Sequence, residues 1–260
     1  MYPNEFTSYL DAAQVALYVF WFFFFGLVYW LRREDRREGY PLESDPDGKV
    51  KDRGFLLLPE PKTFLLRDGT SVSVPNLKRD QRPIAAVRAG SWPGAPLVPT
   101  GDPLVDGVGP AAWAERRDIP DQTWDGRNKI VPTRVDAHYG VAPGDPDPRG
   151  MTVIAADRKV AGTVTDIWVD HAEHAIRYLE VDIDQPGLGN VLVPMTLARI
   201  VGTDLSGRSV QVKSLLAGQF ANAPRTRSPD SVTFLEEDRI CAYFTGGHLY
   251  ATRDRSEPLI

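Results

Sequence analysis

One uninterrupted apolar run dominates the pattern of the chain. From Ala12 to Leu31, between Asp11 and Arg32, no residue carries a formal charge, and only Gln14 is clearly polar. At about 1.5 Å per residue a helix of that length spans about 30 Å, the thickness of a bilayer's hydrocarbon core. The pattern predicts a transmembrane helix over 12–31, preceded by a short segment 1–11. A cleaved signal peptide needs a basic start, a shorter apolar stretch and a small-residue cleavage site. Met1 to Asp11 contains no Lys or Arg, and the run ends in Tyr29-Trp30-Leu31, so the segment is expected to be kept. The alternative, a core helix of a soluble protein, requires apolar surroundings on every side of it.

Arg32, Arg33, Arg36 and Arg37 crowd the C-terminal end of the run, whereas the other end carries only Glu5 and Asp11. The positive-inside rule then predicts a periplasmic N-terminus and a cytoplasmic remainder, with Tyr29 and Trp30 at headgroup level. Phe20-Trp21-Phe22-Phe23-Phe24-Phe25 forms an aromatic block. An indole N–H at the depth of Trp21 finds no acceptor in hydrocarbon, which fits packing against protein or large flat ligands. A lipid-surrounded anchor is the other reading. No small-xxx-small spacing accompanies Gly26, so a tight self-crossing is not predicted.

Past the run, Arg32 to Gly39 alternates charges that can pair along a helix continuing into water, until Gly39 and Pro41 stop it. From Pro41 to Pro110 lie half of the chain's 22 prolines, among short apolar runs such as Phe55-Leu56-Leu57-Leu58 and Phe64-Leu65-Leu66. Proline removes a donor and fixes φ, so long helices and central strands are not expected there. The apolar content is too high for a disordered linker and suggests an extended arm, 32–110, lying on a partner or on its own domain. A globular part, 111–260, follows. In it, Leu179, Val181 and Ile183 alternate with Glu180 and Asp182, the period of a half-buried strand with its acids outward. Val160 to Asp170, Val191 to Val193 and Val210 to Val212 read as further strands, separated by turns at Gly187-Leu188-Gly189-Asn190 and Asp204 to Arg208. Several short antiparallel strands over about 151–220 suggest a small β-barrel. Thr233 followed by Glu236 is a capping box opening a helix from Leu235 to Phe244, with Gly246-Gly247 to end it.

Composition narrows the partners. The 260 residues carry a formal charge of -5, and the pI is near 5.4. A nucleic-acid partner, which needs a basic face, is not expected. Membrane lipids remain partners, although Glu34, Asp35 and Glu38 dilute the basic end. The lone Cys241 excludes an intramolecular disulfide and fits a reducing compartment.

No phosphate loop, dinucleotide fingerprint, paired-cysteine metal site or Gly-x-Ser-x-Gly elbow is present. Cys241 reads as a structural thiol in the last helix, not a nucleophile. Asp45-Pro46-Asp47-Gly48 starts like a calcium loop but lacks the terminal glutamate, and reads as a turn. The densest chemistry is Asp170-His171-Ala172-Glu173-His174 with Arg177 after it. Two imidazoles and two carboxylates so close together can exchange protons near neutral pH or bind a surface cation; they can equally be a polar connection between strands.

Several strings together carry a resemblance. They are Arg32 to Leu42 (RREDRREGYPL), Pro61-Lys62-Thr63-Phe64, Pro99-Thr100-Gly101-Asp102-Pro103 and Gly107-Val108-Gly109-Pro110-Ala111. Gly162 to Asp170 (GTVTDIWVD), Arg177-Tyr178-Leu179-Glu180-Val181 and Glu236-Glu237-Asp238 follow in order. In this order and register the chain resembles the H-subunit family of the photosynthetic reaction centre of purple bacteria. The resemblance implies a single transmembrane α-helix followed by a mainly β cytoplasmic domain, a PRC-type small β-barrel with a short C-terminal helix. It implies a non-catalytic subunit of the bacterial inner (intracytoplasmic) membrane that caps the cytoplasmic face of subunits L and M, stabilises the complex and shields the quinones. The bacteriochlorophyll, bacteriopheophytin, quinones, non-haem iron and carotenoid would sit on L and M, with no cofactor or metal held by this chain alone. Partners would be L and M, with room for an antenna ring and a cytochrome subunit. Protons would reach the secondary quinone through polar residues, the family's acidic residue falling on Glu173, with Asp170 and Arg177 beside it.

One departure bears on the proton path. Some members of that family carry two histidines before an Asn-Lys pair where protons enter; here Asp125, Gly126 and Arg127 precede Asn128-Lys129 without histidine. Either Asp125 takes over, or protons enter elsewhere, with His171 and His174 as candidates. A membrane-tethered adaptor using the same barrel outside photosynthesis, and an anchored hydrolase, are the competing readings.

Overall fold

The structure, a computed structural model, describes residues 5–7, 10–42, 58–76, 78, 80, 82–183, 187–203 and 207–256. The turn at Asp45-Pro46-Asp47-Gly48, the Phe55-Leu56-Leu57 run and part of the turn from Asp204 lie outside the described residues. The chain divides into two compact units, Met1–Gln81 with Ser91–Gly94, and Arg82–Gly90 with Ala95–Ile260.

In the first unit, strands β1 (Glu5–Thr7) and β2 (Leu10–Asp11) pair antiparallel directly before helix α1 (Ala12–Glu34). Asp11 caps the helix, its carboxylate accepting from the Gln14 N–H at 2.7 Å while the Gln14 side chain accepts from the Asp11 N–H at 3.3 Å. The one polar member of the apolar run thus serves the helix start. No residue of α1 is buried, which rules out a core helix. With its last turn the apolar helix covers 26 residues, Ala12–Arg37, long and apolar enough to cross a membrane. Its rings stack at helical spacing, Phe20 on Phe24 at 6.0 Å and Trp21 on Phe25 at 5.7 Å between centroids.

After Glu34 the helix tightens into a 3-10 turn, Asp35–Arg37, and stops at Gly39, whose φ of 70° suits a residue without Cβ. The expected surface pairing is present. Arg37 grips both Glu34 oxygens at 2.8 Å and also donates to the Glu60 carbonyl at 2.6 Å, while Lys62 Nζ reaches Glu34 at 3.1 Å. These bonds tie the helix end to the antiparallel hairpin of β3 (Lys62–Leu65) and β4 (Ser71–Val74). Every residue of β3 is exposed, Leu65 by 81 %.

The second unit opens with proline-limited pieces: the hairpin β5 (Ala86–Arg88) with β6 (Leu97–Pro99), helix α2 (Pro103–Asp106) and a 3-10 turn, Gly109–Ala111. Its main sheet has seven strands, β7 (Ile130–Pro132), β8 (Thr152–Ile154), β9 (Val160–Asp170), β10 (Ala175–Asp182), β11 (Asn190–Pro194), β12 (Ala198–Thr203) and β13 (Gly207–Val212). They run β11-β10-β9-β8-β13-β12, and β7 pairs the C-terminal part of β9. One strand pair departs from the antiparallel expectation: β13 lies parallel to β8, Ser209 opposite Thr152. Valine and isoleucine side chains fill the core with Trp168, Leu179, Phe220 and Phe244.

Two expectations are corrected. Alternation predicts an outward Glu180, yet this residue is only 7 % exposed, because both faces of β10 are covered. Glycines at 246 and 247 predict a helix stop, yet helix α3 (Phe234–Tyr250) runs through both. A Cβ at Gly246 would lie 2.5 Å from the Ala111 Cβ, and one at Gly247 would lie 2.6 Å from Leu215 Cδ2. These glycines permit close packing of the helix. The capping box forms as expected, with Glu236 accepting from the Thr233 N–H at 2.9 Å and the Thr233 hydroxyl accepting from the Glu236 N–H at 3.2 Å.

Candidate functional site

The polar turn between β9 and β10 collects most of the residues singled out by sequence. Asp170 ends β9 with no exposed surface, and its Oδ1 accepts from the backbone N–H groups of Ala172 at 2.9 Å and Glu173 at 3.1 Å. This side-chain bonding shapes a turn that closes through His174 at a φ of 51°. Register brings Lys129 beside it, since Ile130 pairs with Asp170 and the His171 N–H donates to the Lys129 carbonyl at 2.8 Å. Lys129 Nζ lies 3.4 Å from Asp170, 3.7 Å from Asp121 and 4.0 Å from Glu173. Glu173 itself is more than half exposed and pairs with Arg177 at 3.7 Å. Asp170, Glu173 and Arg177 are therefore brought together, and Lys129, which no motif flagged as a hub, is the cation that lies within 4.0 Å of both carboxylates.

Asp125 is engaged elsewhere. Its carboxylate accepts a short hydrogen bond from the Thr123 hydroxyl and pairs with Arg127 at 2.7 Å, and these partners, in that order, hold the carboxyl below its usual range. His171 and His174 both stack on Tyr139, at 4.9 Å and 5.7 Å, and the Tyr139 hydroxyl meets His174 Nδ1 at 2.8 Å. Asp136 pairs with His171 and with His138. The backbone N–H and then the ring of His138 keep the Asp136 carboxyl below its usual range.

Behind the turn, on β10 and α3, the buried Tyr178 hydroxyl donates to Glu237 at 2.9 Å and lies 3.7 Å from Cys241 Sγ. Burial pushes the Glu237 carboxyl and the Cys241 thiol up. A thiol raised in this way is a poor nucleophile, in keeping with a structural Cys241. Among the described residues no group of three or more His, Cys, Asp or Glu is arranged to hold a metal ion.

A second polar centre was not signalled by any motif. A cavity of about 510 Å³ is lined by Thr133, Arg134, Arg149, Thr165, Asp166, Glu180 and Asn190. Arg134 bonds Glu180 at 2.5 Å and Asp166 at 3.1 Å, Trp168 Nε1 donates to Glu180 at 2.8 Å, and Asn190 donates to its other oxygen at 2.6 Å. Glu180 lies opposite Asp166 in the β9–β10 pairing, and like charges so placed repel unless a cation sits between them. That opposition is the signal sequence could have offered, had the register been known. The network is fully satisfied and reads as a structural clamp.

Two family models match the chain: the photosynthetic reaction centre H-chain N-terminal region over residues 4–135, and the PRC-barrel domain over residues 144–215.

Proposed function

The chain belongs to the photosynthetic reaction centre H-chain family, and on that premise we propose that it caps the cytoplasmic face of the pigment-binding L and M subunits, shields the quinone sites and supports proton delivery to the secondary quinone. The observation that carries this reading is α1, an apolar helix with stacked rings and no buried residue among the described residues. A bare aromatic ladder fits a helix flanking protein and pigment, with its arginine-rich end on the cytoplasmic side of a purple-bacterial inner membrane. The exposed β3–β4 hairpin fits an arm laid across partner subunits. Bacteriochlorophyll, bacteriopheophytin, quinones, non-haem iron and carotenoid would be held by L and M.

Proton delivery would run through the β9–β10 turn. Asp170, Glu173, Arg177 and Lys129 form a charged set in which a proton can be stabilised at several positions, and His171 and His174 lie within the same turn. Asp125, tied to Thr123 and Arg127, is less suited to take up protons. Purification of the tagged chain from mild-detergent extracts tests the assignment. Co-eluting membrane subunits with near-infrared bacteriochlorophyll absorbance are expected; a colourless monomer, stable alone, would overturn it.

A further inference from the structure

Three of the chain's four histidines gather around one carboxylate and one phenol beside the β9–β10 turn. Asp136 stands between two of them, with Oδ1 3.0 Å from His138 Nδ1 and Oδ2 3.3 Å from His171 Nε2. The two rings sit in opposite surroundings: the His138 side chain is 95 % exposed, that of His171 only 9 %. Neither nitrogen of the buried His171 ring makes a hydrogen bond to another described residue, and Asp136 approaches Nε2 off hydrogen-bond alignment. Buried polar groups are ordinarily bonded, and a buried imidazole without a partner calls for a reason, of which a role in proton exchange is one. Tyr139 holds the ring by stacking and leaves both nitrogens available.

The geometry points to His138, Asp136 and His171 as a proton-collecting unit, two imidazoles bridged by a carboxylate, that feeds the turn of Asp170, Glu173 and Lys129. This rests on the proton-delivery reading above. An imidazole changes charge near neutral pH and can gain a proton at one nitrogen while losing one at the other. Water gives a proton to His138 Nε2, and the Nδ1 proton passes to Asp136. The carboxyl turns and hands it to His171 Nε2, so that Asp136 is again ionised and the positive charge rests on the buried ring. That ring belongs to the residue next to the wholly buried Asp170. Tyr139 stacks on that ring and also stacks on and bonds His174, while Lys129 pairs with the neighbouring Asp170 and with Glu173, which pairs in turn with Arg177. The unit places proton uptake at residues other than Asp125.

Flash-induced transfer of the second electron to the secondary quinone, measured from pH 6 to 9 in the intact pigmented complex, tests this. His138→Gln and Asp136→Asn are each expected to slow it by about a hundredfold, the low side of what loss of a positioned proton carrier costs. First-electron transfer should be unchanged, and added imidazole should restore the rate. Because His138 is exposed, its variant leaves the packing intact. Unchanged rates and pH profiles in both variants overturn the collecting unit, as does a slowed rate that imidazole fails to restore. Glu173→Gln, run beside them, separates the two readings. If it alone slows the reaction, delivery stands and collection fails; if only the His138 and Asp136 variants do, collection stands and Glu173 is not on the route.

Discussion

A carboxylate that relays protons must be reachable by donors on one side and acceptors on the other, and Glu173 meets the first condition. Its exposed side chain keeps Arg177 and Lys129 within 4.0 Å. Glu173→Gln preserves shape and removes only the capacity to carry a proton. Proton-coupled second-electron transfer is expected to slow by about a hundredfold or more, with primary charge separation untouched. Unchanged second-electron kinetics at neutral pH would remove Glu173 from the path. Sequence placed Glu173, Asp170 and Arg177 together because they lie within one turn and the strand after it. It did not place Lys129 there, because a β7–β9 pairing some forty residues apart in sequence has no local signature.

At the scale of elements, α3 shows how packing overrides a local stop signal. Glycine in a helix interior costs about 1 kcal/mol relative to alanine, so two in succession usually end a helix. Here Gly246 abuts the 3-10 turn at Ala111 and Gly247 abuts Ser214 and Leu215. Gly246→Val is expected to destabilise the second unit by about 1–3 kcal/mol, the usual cost of overpacking a filled core. Thermal unfolding followed by circular dichroism should show a midpoint lower by several degrees, at about 2–4 °C per kcal/mol for this size. An unchanged midpoint would mean that the helix can shift away from Ala111. A cation–π stack near the same packing joins distant segments, since Arg82 and Arg239 lie 3.6 Å and 4.1 Å from the Trp113 ring.

Across the molecule, the Arg134 network joins β9 and β10 to segments far away in the chain, because Arg134 also reaches Asp230 at 3.2 Å. Burial works to raise the Asp166 carboxyl, but the Thr133 hydroxyl, the Ile167 and Arg134 amides and the Arg134 charge outweigh it and hold the carboxyl low. A group with a depressed folded pKa stabilises the fold above its unfolded value, about 3.9, and loses that contribution as pH falls through the folded value. Asp166→Asn should therefore cost about 1–3 kcal/mol at neutral pH and flatten the acid-induced loss of stability below about pH 4. An acid-unfolding curve with the same slope as the parent would exclude Asp166 as a contributor. Sequence alone determined the apolar helix, four of the strands and the start of α3, because each rests on hydrophobic period or on groups three residues apart. Even the resemblance to a family was legible there, carried by strings in fixed order. Tertiary structure alone decided the parallel β8–β13 pairing, the burial of Glu180, the passage of α3 through Gly246 and Gly247, and the meeting of His138 with His171 across Asp136. Those features depend on which distant backbones lie side by side, and a pattern of local spacings holds no measure of that distance. The apolar run at 12–31 was decided by its own composition, whereas the polar turn acquired its chemistry only when β7 set Lys129 against it.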